Sequence, residues 1–236
     1  MTTTTGTQPE DLRARMVDQV AAAGYLHSGH VELAMRTVPR HLFLPAATVE
    51  ESYADQSVTT KPSSDGRPLS CASKPTVVAM MLEQLDARPG HRILEIGAGT
   101  GYNAALLAEL VGETGDVTTV DIDPEATAQA RQALDANGYG RVHVTTGDGA
   151  LGEASHAPYD RIIVTVGPWD LPTADGNSER SATAPPAHIS RNACASRSTH
   201  GTMTAPPSPS SPPTRQAPQT GNCPTGWSST SDTSGW

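Results

Sequence analysis

The chain has 236 residues and a formal net charge of −9, enough for one α/β domain with a sizeable core and the wrong sign for a nucleic-acid partner. No apolar run approaches the roughly 18 residues needed to span a bilayer. The N-terminus, Met1-Thr2-Thr3-Thr4-Thr5, lacks the basic and apolar regions of a secretion signal, so the cytoplasm is the default compartment.

Residues 1–8 read as a polar, disordered leader. Pro9 stands where a first helical position is favoured, and Glu10 and Asp11 follow at the positive end of the helix dipole. Leu12, Met16, Val17 and Val20 recur at helical spacing, and Gly24 is a stop signal. A second short helix is expected from about His30 to Thr37, capped by Ser28. Pro39 and Pro45 bracket Arg40-His41-Leu42-Phe43-Leu44, read as an extended or turn-like connector. Residues 57–73 show no periodicity and read as loop. Pro75 starts a third helix with Val78, Met81, Leu82 and Leu85 on its buried side.

After Pro89-Gly90 the pattern changes to alternating strands and helices. Strands are expected at Arg92–Ile96, Asp116–Ile122, Val142–Thr146 and Tyr159–Val166, with helices at Asn103–Leu110 and Pro124–Ala136. That alternation predicts an α/β Rossmann-like fold, a parallel-stranded sheet with helices on both faces. Residues 9–88 then form an N-terminal helical, substrate-side region and residues 89–174 the cofactor-binding domain. From Asp175 to Trp236 the only Ile, Leu or Val is Ile189, while nine of the twenty prolines lie there. Such a stretch buries too little apolar surface to offset its ordering entropy. It reads as a disordered tail, either a genuine linker or the product of a shifted reading frame. In the latter case the terminal strands of the sheet are missing.

The densest chemical signal is Glu95-Ile96-Gly97-Ala98-Gly99-Thr100-Gly101-Tyr102, a strand running into a glycine turn and then a helix. Tyr102 stands where a dinucleotide fingerprint needs its third glycine, which argues against an NAD-dependent dehydrogenase. Glu95 would repel a pyrophosphate but suits a ligand with an ammonium group, and the helix N-terminus suits a carboxylate. Together these fit S-adenosylmethionine. Asp121, at the end of the next strand, is a candidate for the ribose hydroxyls. Asp148, in Gly147-Asp148-Gly149 at the same rim, is a candidate for an adenine amino group, and Asp123 before Pro124 is the better helix cap. Three widely separated cysteines suggest neither a disulfide framework nor a zinc site. His27, His30, His41, His91, His143 and His156 are scattered without ligand spacing and read as structural or solvated, with no metal site expected.

Residues 93–105, Gly147-Asp148-Gly149, Ala157-Pro158-Tyr159-Asp160-Arg161-Ile162-Ile163 and Val38-Pro39-Arg40-His41-Leu42-Phe43-Leu44-Pro45 with Tyr53-Ala54-Asp55 resemble the protein-L-isoaspartate O-methyltransferases. Ser73-Lys74-Pro75 resembles that family's Ser-Gln-Pro, whose serine sits at the reacting carboxylate. The resemblance covers about residues 12–174 and implies an S-adenosylmethionine-dependent carboxyl O-methyltransferase acting on isoaspartyl or aspartyl residues of a protein or peptide. It implies Ser73 as the catalytic contact, and Glu95, Gly97, Ala98, Gly99, Thr100, Gly101, Tyr102, Asp121, Ile122, Asp148 and Gly149 as the cofactor-binding set. Ser73 also reads as a helix N-cap, a role compatible with substrate contact. Cys71-Ala72 and Lys74 depart from the family pattern. They look more like a subgroup that methylates an Asp of a ribosomally made precursor peptide. The aberrant tail keeps open a further alternative, a remnant that binds cofactor with little turnover.

Overall fold

The computed structural model describes residues 8–166. The leader at residues 1–7, the tail at 175–236 and any terminal strands beyond residue 166 lie outside the described residues.

The chain begins with α1 (Pro9–Ala22) and α2 (Gly29–Thr37). Proline opens α1, its first turn carries Glu10 and Asp11, and it buries Met16, Val17 and Val20, as the spacing predicted. Ser28 precedes α2 without capping it: its hydroxyl donates instead to Glu83 Oε2 at 2.5 Å, and its backbone N–H to Glu83 Oε1 at 3.0 Å. Arg40–Phe43, expected as an extended or turn-like connector, winds into one turn of 3-10 helix. A five-residue helix, α3 (Val49–Tyr53), follows; Thr48 and Glu51 close a reciprocal capping box at its start.

The segment read as loop is an antiparallel hairpin of β1 (Val58–Pro62) and β2 (Pro68–Ala72), with Ser63-Ser64-Asp65-Gly66-Arg67 between the strands. Cys71 lies on β2. Then comes α4 (Pro75–Leu85), with Val78, Met81, Leu82 and Leu85 buried as expected.

The α/β portion alternates β3 (Arg92–Ile96), α5 (Tyr102–Val111), β4 (Asp116–Asp121), α6 (Pro124–Ala136), β5 (His143–Thr146) and β6 (Arg161–Val164). The four strands form one parallel sheet in the order β5-β4-β3-β6. Because β3 comes first and β4 and β6 flank it, the strand order reverses at the β3/β6 boundary. A crevice opens at such a point, outside the carboxyl ends of the strands. Asp123 caps α6 by accepting the Glu125 N–H at 3.0 Å, the role the sequence assigned to it.

One hydrophobic cluster runs through the molecule from Met16 and Val31 by way of Phe43, Leu82 and Leu106 to Val117 and Ile163. It crosses residue 88, so the N-terminal helices and the sheet share a core. Phe43 lies with its ring centroid 5.9 Å from Tyr102 and 6.5 Å from Tyr139, joining the 3-10 turn to the α/β portion. Among the described residues no helix is long and apolar enough to cross a membrane.

Leu82, fully buried where α4 meets this cluster, reports on that shared core. Leu82→Ala should lower unfolding free energy by about 2–5 kcal/mol in denaturant titrations, in one transition that includes the sheet.

Candidate active site

The crevice at the carboxyl end of β3 is lined by Ser73, Glu95, Gly97, Ala98, Gly99, Thr100, Tyr102 and Asp121, with Arg40, Asn103, Thr165 and Val166 completing the wall. Eight of the twelve residues named from sequence lie in the turn from Glu95 to Tyr102 or at Asp121 on the neighbouring strand. Eight of the twelve line the crevice. The other four sit beside it. Gly101 packs on α6, where a Cβ would come 3.2 Å from Ala130 O and from Leu134 Cγ. Ile122, Asp148 and Gly149 lie along the same sheet rim, where the Gly147 N–H donates to Asp121 O at 2.9 Å. Ile122 is 74% exposed, and Asp148 accepts the Ala150 N–H at 2.9 Å.

The turn is set by backbone ties on both sides. Gly97 N–H donates to Val120 O at 2.7 Å, and the Thr165 hydroxyl donates to Ile96 O at 3.0 Å and Gly97 O at 2.8 Å. At Gly97 φ is +105°, and a Cβ there would come 2.5 Å from Val166 Cγ1 and 2.6 Å from Thr165 Oγ1. Only glycine meets both demands. At Gly99, φ +50°, a Cβ would meet nothing within 4 Å, so the backbone is open to an approaching ligand. Asp121 Oδ2 accepts the Gly99 N–H at 3.1 Å and Oδ1 the Asp123 N–H at 3.0 Å, which aims its carboxylate along the rim.

Glu95 is fully buried on β3. Its Oε1 accepts from Asn103 Nδ2 and its Oε2 from Thr119 Oγ1, each at 2.8 Å. Burial pushes its carboxyl up to about 7, opposed by these two hydrogen bonds and reinforced by the charge of Asp121. Tyr102 is buried as well, and burial pushes its phenol up to about 12. Its hydroxyl has no hydrogen-bond partner among the described residues.

Ser73 lies between β2 and α4 but does not cap the helix; Lys74 holds the N-cap position, and Asp55 Oδ1 accepts the Thr76 N–H at 2.8 Å. The Ser73 hydroxyl has no partner among the described residues, while its carbonyl accepts from Arg40 Nη2 at 2.9 Å. Arg40 stands in the Pro39-Arg40-His41 motif, where the sequence assigns it no role. It is 1% exposed, donates from Nε to Ser52 O at 2.8 Å, and lies 5.0 Å over the Tyr102 ring. The signal was present: an arginine flanked by buried Val38, Phe43 and Leu44 has to find partners inside. A larger cavity of about 470 Å³ lies between the 3-10 turn, β1 and α6, but its walls carry no titratable side chain.

The family profile of Protein-L-isoaspartate(D-aspartate) O-methyltransferase matches residues 11–177. The protein-L-isoaspartate O-methyltransferase of Methanopyrus kandleri is 45% identical over 161 residues, covering 68% of this chain and 69% of the relative. That of Hyperthermus butylicus is 42% identical over 170 residues, covering 69% and 68%. A solved protein-L-isoaspartate O-methyltransferase superposes with a TM-score of 0.62 at 32% identity; the match covers 68% of this chain and half of that one. A Plasmodium falciparum structure, described as a putative protein-L-isoaspartate O-methyltransferase in complex with S-adenosyl-L-homocysteine, superposes with a TM-score of 0.58 at 16% identity, a likeness of fold.

The Glu95 carboxyl makes stability depend on pH with a definite sign. Its folded value, about 7, lies above the ordinary 4.5, so between those values the folded chain holds a proton the unfolded chain has released. Unfolding free energy should therefore fall as pH rises from about 4.5 to 7 and stay flat above, by on the order of 2–3 kcal/mol. Glu95→Gln should remove this component from denaturant titrations at pH 5 and pH 8. An unchanged difference would mean another group carries it.

Proposed function

The chain belongs to the protein-L-isoaspartate O-methyltransferase family, and from that premise we propose that it methylates the side-chain carboxylate of isoaspartyl residues in proteins or peptides, using S-adenosylmethionine. The observation that carries this reading is a single crevice joining the glycine turn and Asp121 to a serine hydroxyl with no partner among the described residues. The residues fit the cofactor: Gly99 leaves its backbone accessible, and the buried Tyr102 hydroxyl at the crevice wall has no partner among the described residues.

When bound, S-adenosylmethionine supplies a methyl group on a positively charged sulfur. Asp121 accepts hydrogen bonds from the ribose hydroxyls, and the free N–H groups at the start of α5 face the amino-acid carboxylate. Ile122 offers an apolar surface to the base, next to Asp148. Ser73 donates a hydrogen bond to one acceptor oxygen and orients the other, while Arg40 holds the Ser73 backbone through its carbonyl. An acceptor carboxylate with an ordinary pKa near 4 is ionised at neutral pH and needs no general base. Catalysis then comes from alignment of the two reactants. The ester product invites attack by the next backbone nitrogen, which expels methanol and closes a succinimide. The cytoplasm is the compartment in which this reading places the protein.

Two variants of the reading are separable. Lys74 beside Ser73, its Nζ 3.7 Å from Asp55 Oδ2, adds a cation next to the acceptor position and favours an acidic, dedicated precursor peptide as substrate. The chain also spans only about two thirds of its curated relatives and half of the first solved structure, and the family match stops at residue 177. The second variant is a cofactor-binding protein of low turnover.

Asp121→Asn should weaken S-adenosylhomocysteine binding about tenfold or more in calorimetric titration, because hydrogen bonds to a charged acceptor contribute about 1.5–3 kcal/mol. Ser73→Ala should leave that affinity unchanged and lower kcat/KM on an isoaspartyl peptide about 10–100-fold. Cofactor binding without methylation of either peptide class would favour the low-turnover reading, and loss of cofactor affinity in Ser73→Ala would refute the assignment of Ser73 to the acceptor side.

A further inference from the structure

The two histidines read from sequence as isolated are neighbours in space. His143 opens β5, His156 lies in the connection before β6, and Asp116 opens β4. Since all four strands are parallel, these positions share the amino-terminal rim of the sheet, the opposite end from the crevice. We propose that Asp116, His143 and His156 form a binding site for one divalent transition-metal ion of the zinc type, distinct from the methyl-transfer site.

His143 Nε2 lies 3.2 Å from Asp116 Oδ1, and one ligand atom from each of the three residues falls within 4.8 Å of the others. Zinc bonds of about 2.0–2.2 Å in tetrahedral geometry separate ligand atoms by roughly 3.3 Å. The His143–Asp116 edge already has that spacing. The His143 and His156 rings are stacked, with centroids 3.8 Å apart and planes at 19°. A shared ion therefore requires the His156 ring to turn a nitrogen toward the other two ligands. No hydrogen bond from the ring to any described residue opposes that turn.

The surroundings suit the ligand set. Arg92 Nη2 donates to the His156 carbonyl and lies 3.8 Å from Asp116 Oδ2, so it holds the His156 backbone and keeps a cation beside the second carboxylate oxygen. That leaves Oδ1 for the ion, with the outer support that metal ligands use. Two imidazoles and one carboxylate select zinc, nickel or cobalt over magnesium and calcium, which prefer all-oxygen shells. Three protein ligands leave a fourth position for water. Because the ligands come from the starts of two strands and the connection to a third, an ion here would add a further tie between these segments and raise stability by mass action.

The test uses the full chain freed of metal by chelation, titrated with zinc chloride in a calorimeter and melted with and without zinc or magnesium. Zinc should bind saturably and raise Tm, and magnesium should not. His156→Gln and His143→Gln should each weaken one zinc equivalent at least tenfold and abolish the zinc-dependent Tm shift. His156→Gln, in a connecting segment, should keep the parent's metal-free Tm and its S-adenosylhomocysteine affinity. Zinc affinity and stoichiometry unchanged in both variants, or no saturable binding to the parent, would overturn the site. Neither result bears on the methyltransferase reading, which is read out separately by cofactor affinity and peptide methylation.

Discussion

A buried carboxyl group in the middle of the central strand organises the rest of the site. Glu95 is closed off from solvent on β3, and its two oxygens accept one hydrogen bond from α5 through Asn103 and one from β4 through Thr119. A carboxylate in such a position costs several kcal/mol unless it is paired or protonated. Here two donors and a raised pKa share that cost. The arrangement locks strand, neighbouring strand and following helix into one unit directly beneath the glycine turn. With that base fixed, Gly97 can be tied on both flanks by Val120 and Thr165, and the turn leaves β3 in one direction only.

The proposed acceptor side is held by a different kind of interaction. The β1–β2 hairpin forms its own two-stranded sheet, apart from the four parallel strands. Lys61 on that hairpin pairs with Asp123 at 2.6 Å and Glu125 at 2.8 Å, at the start of α6. These side chains are partly exposed, and such pairs are individually weak. Arg40 and Asp55 make the firmer connections, because they satisfy backbone groups at Ser52, Ser73 and Thr76. The residues proposed to hold the cofactor thus stand on a rigid sheet, while Ser73 stands on a segment positioned by a few polar side chains.

That difference explains which parts could be read in the sequence. The α/β portion follows strong rules: buried strands, helices with proline at the first turn, glycine and aspartate at strand ends. Its elements appear within a few residues of where periodicity put them. The hairpin escaped because its strands have no clean alternation, with half-buried and exposed positions mixed and prolines at Pro62 and Pro68. Helix α3 is too short for a period, although Thr48 and Glu51 spelled out its capping box. Ser28 and Ser73 look alike as caps in sequence, yet one reaches Glu83 across 55 residues and the other leaves its hydroxyl open to the crevice. His143 and His156, thirteen residues apart, meet only because parallel strands return to the same rim. In each case what was missed is a tertiary contact between residues whose local pattern permits several partners.

The division of labour also separates affinity from turnover. Every group assigned to the cofactor precedes β6 and is anchored to strands paired within the described sheet. Alignment of an acceptor carboxylate is more demanding, since it needs a wall facing Ser73 as well as the hydroxyl itself. Val166, beside Gly97, is the last described residue of that wall, and it is 44% exposed. The family match continues eleven residues past it, to 177. An alteration to the acceptor wall would therefore lower turnover while leaving the buried Glu95 network and the cofactor turn intact, because the two halves of the crevice share Gly97 but not their supports.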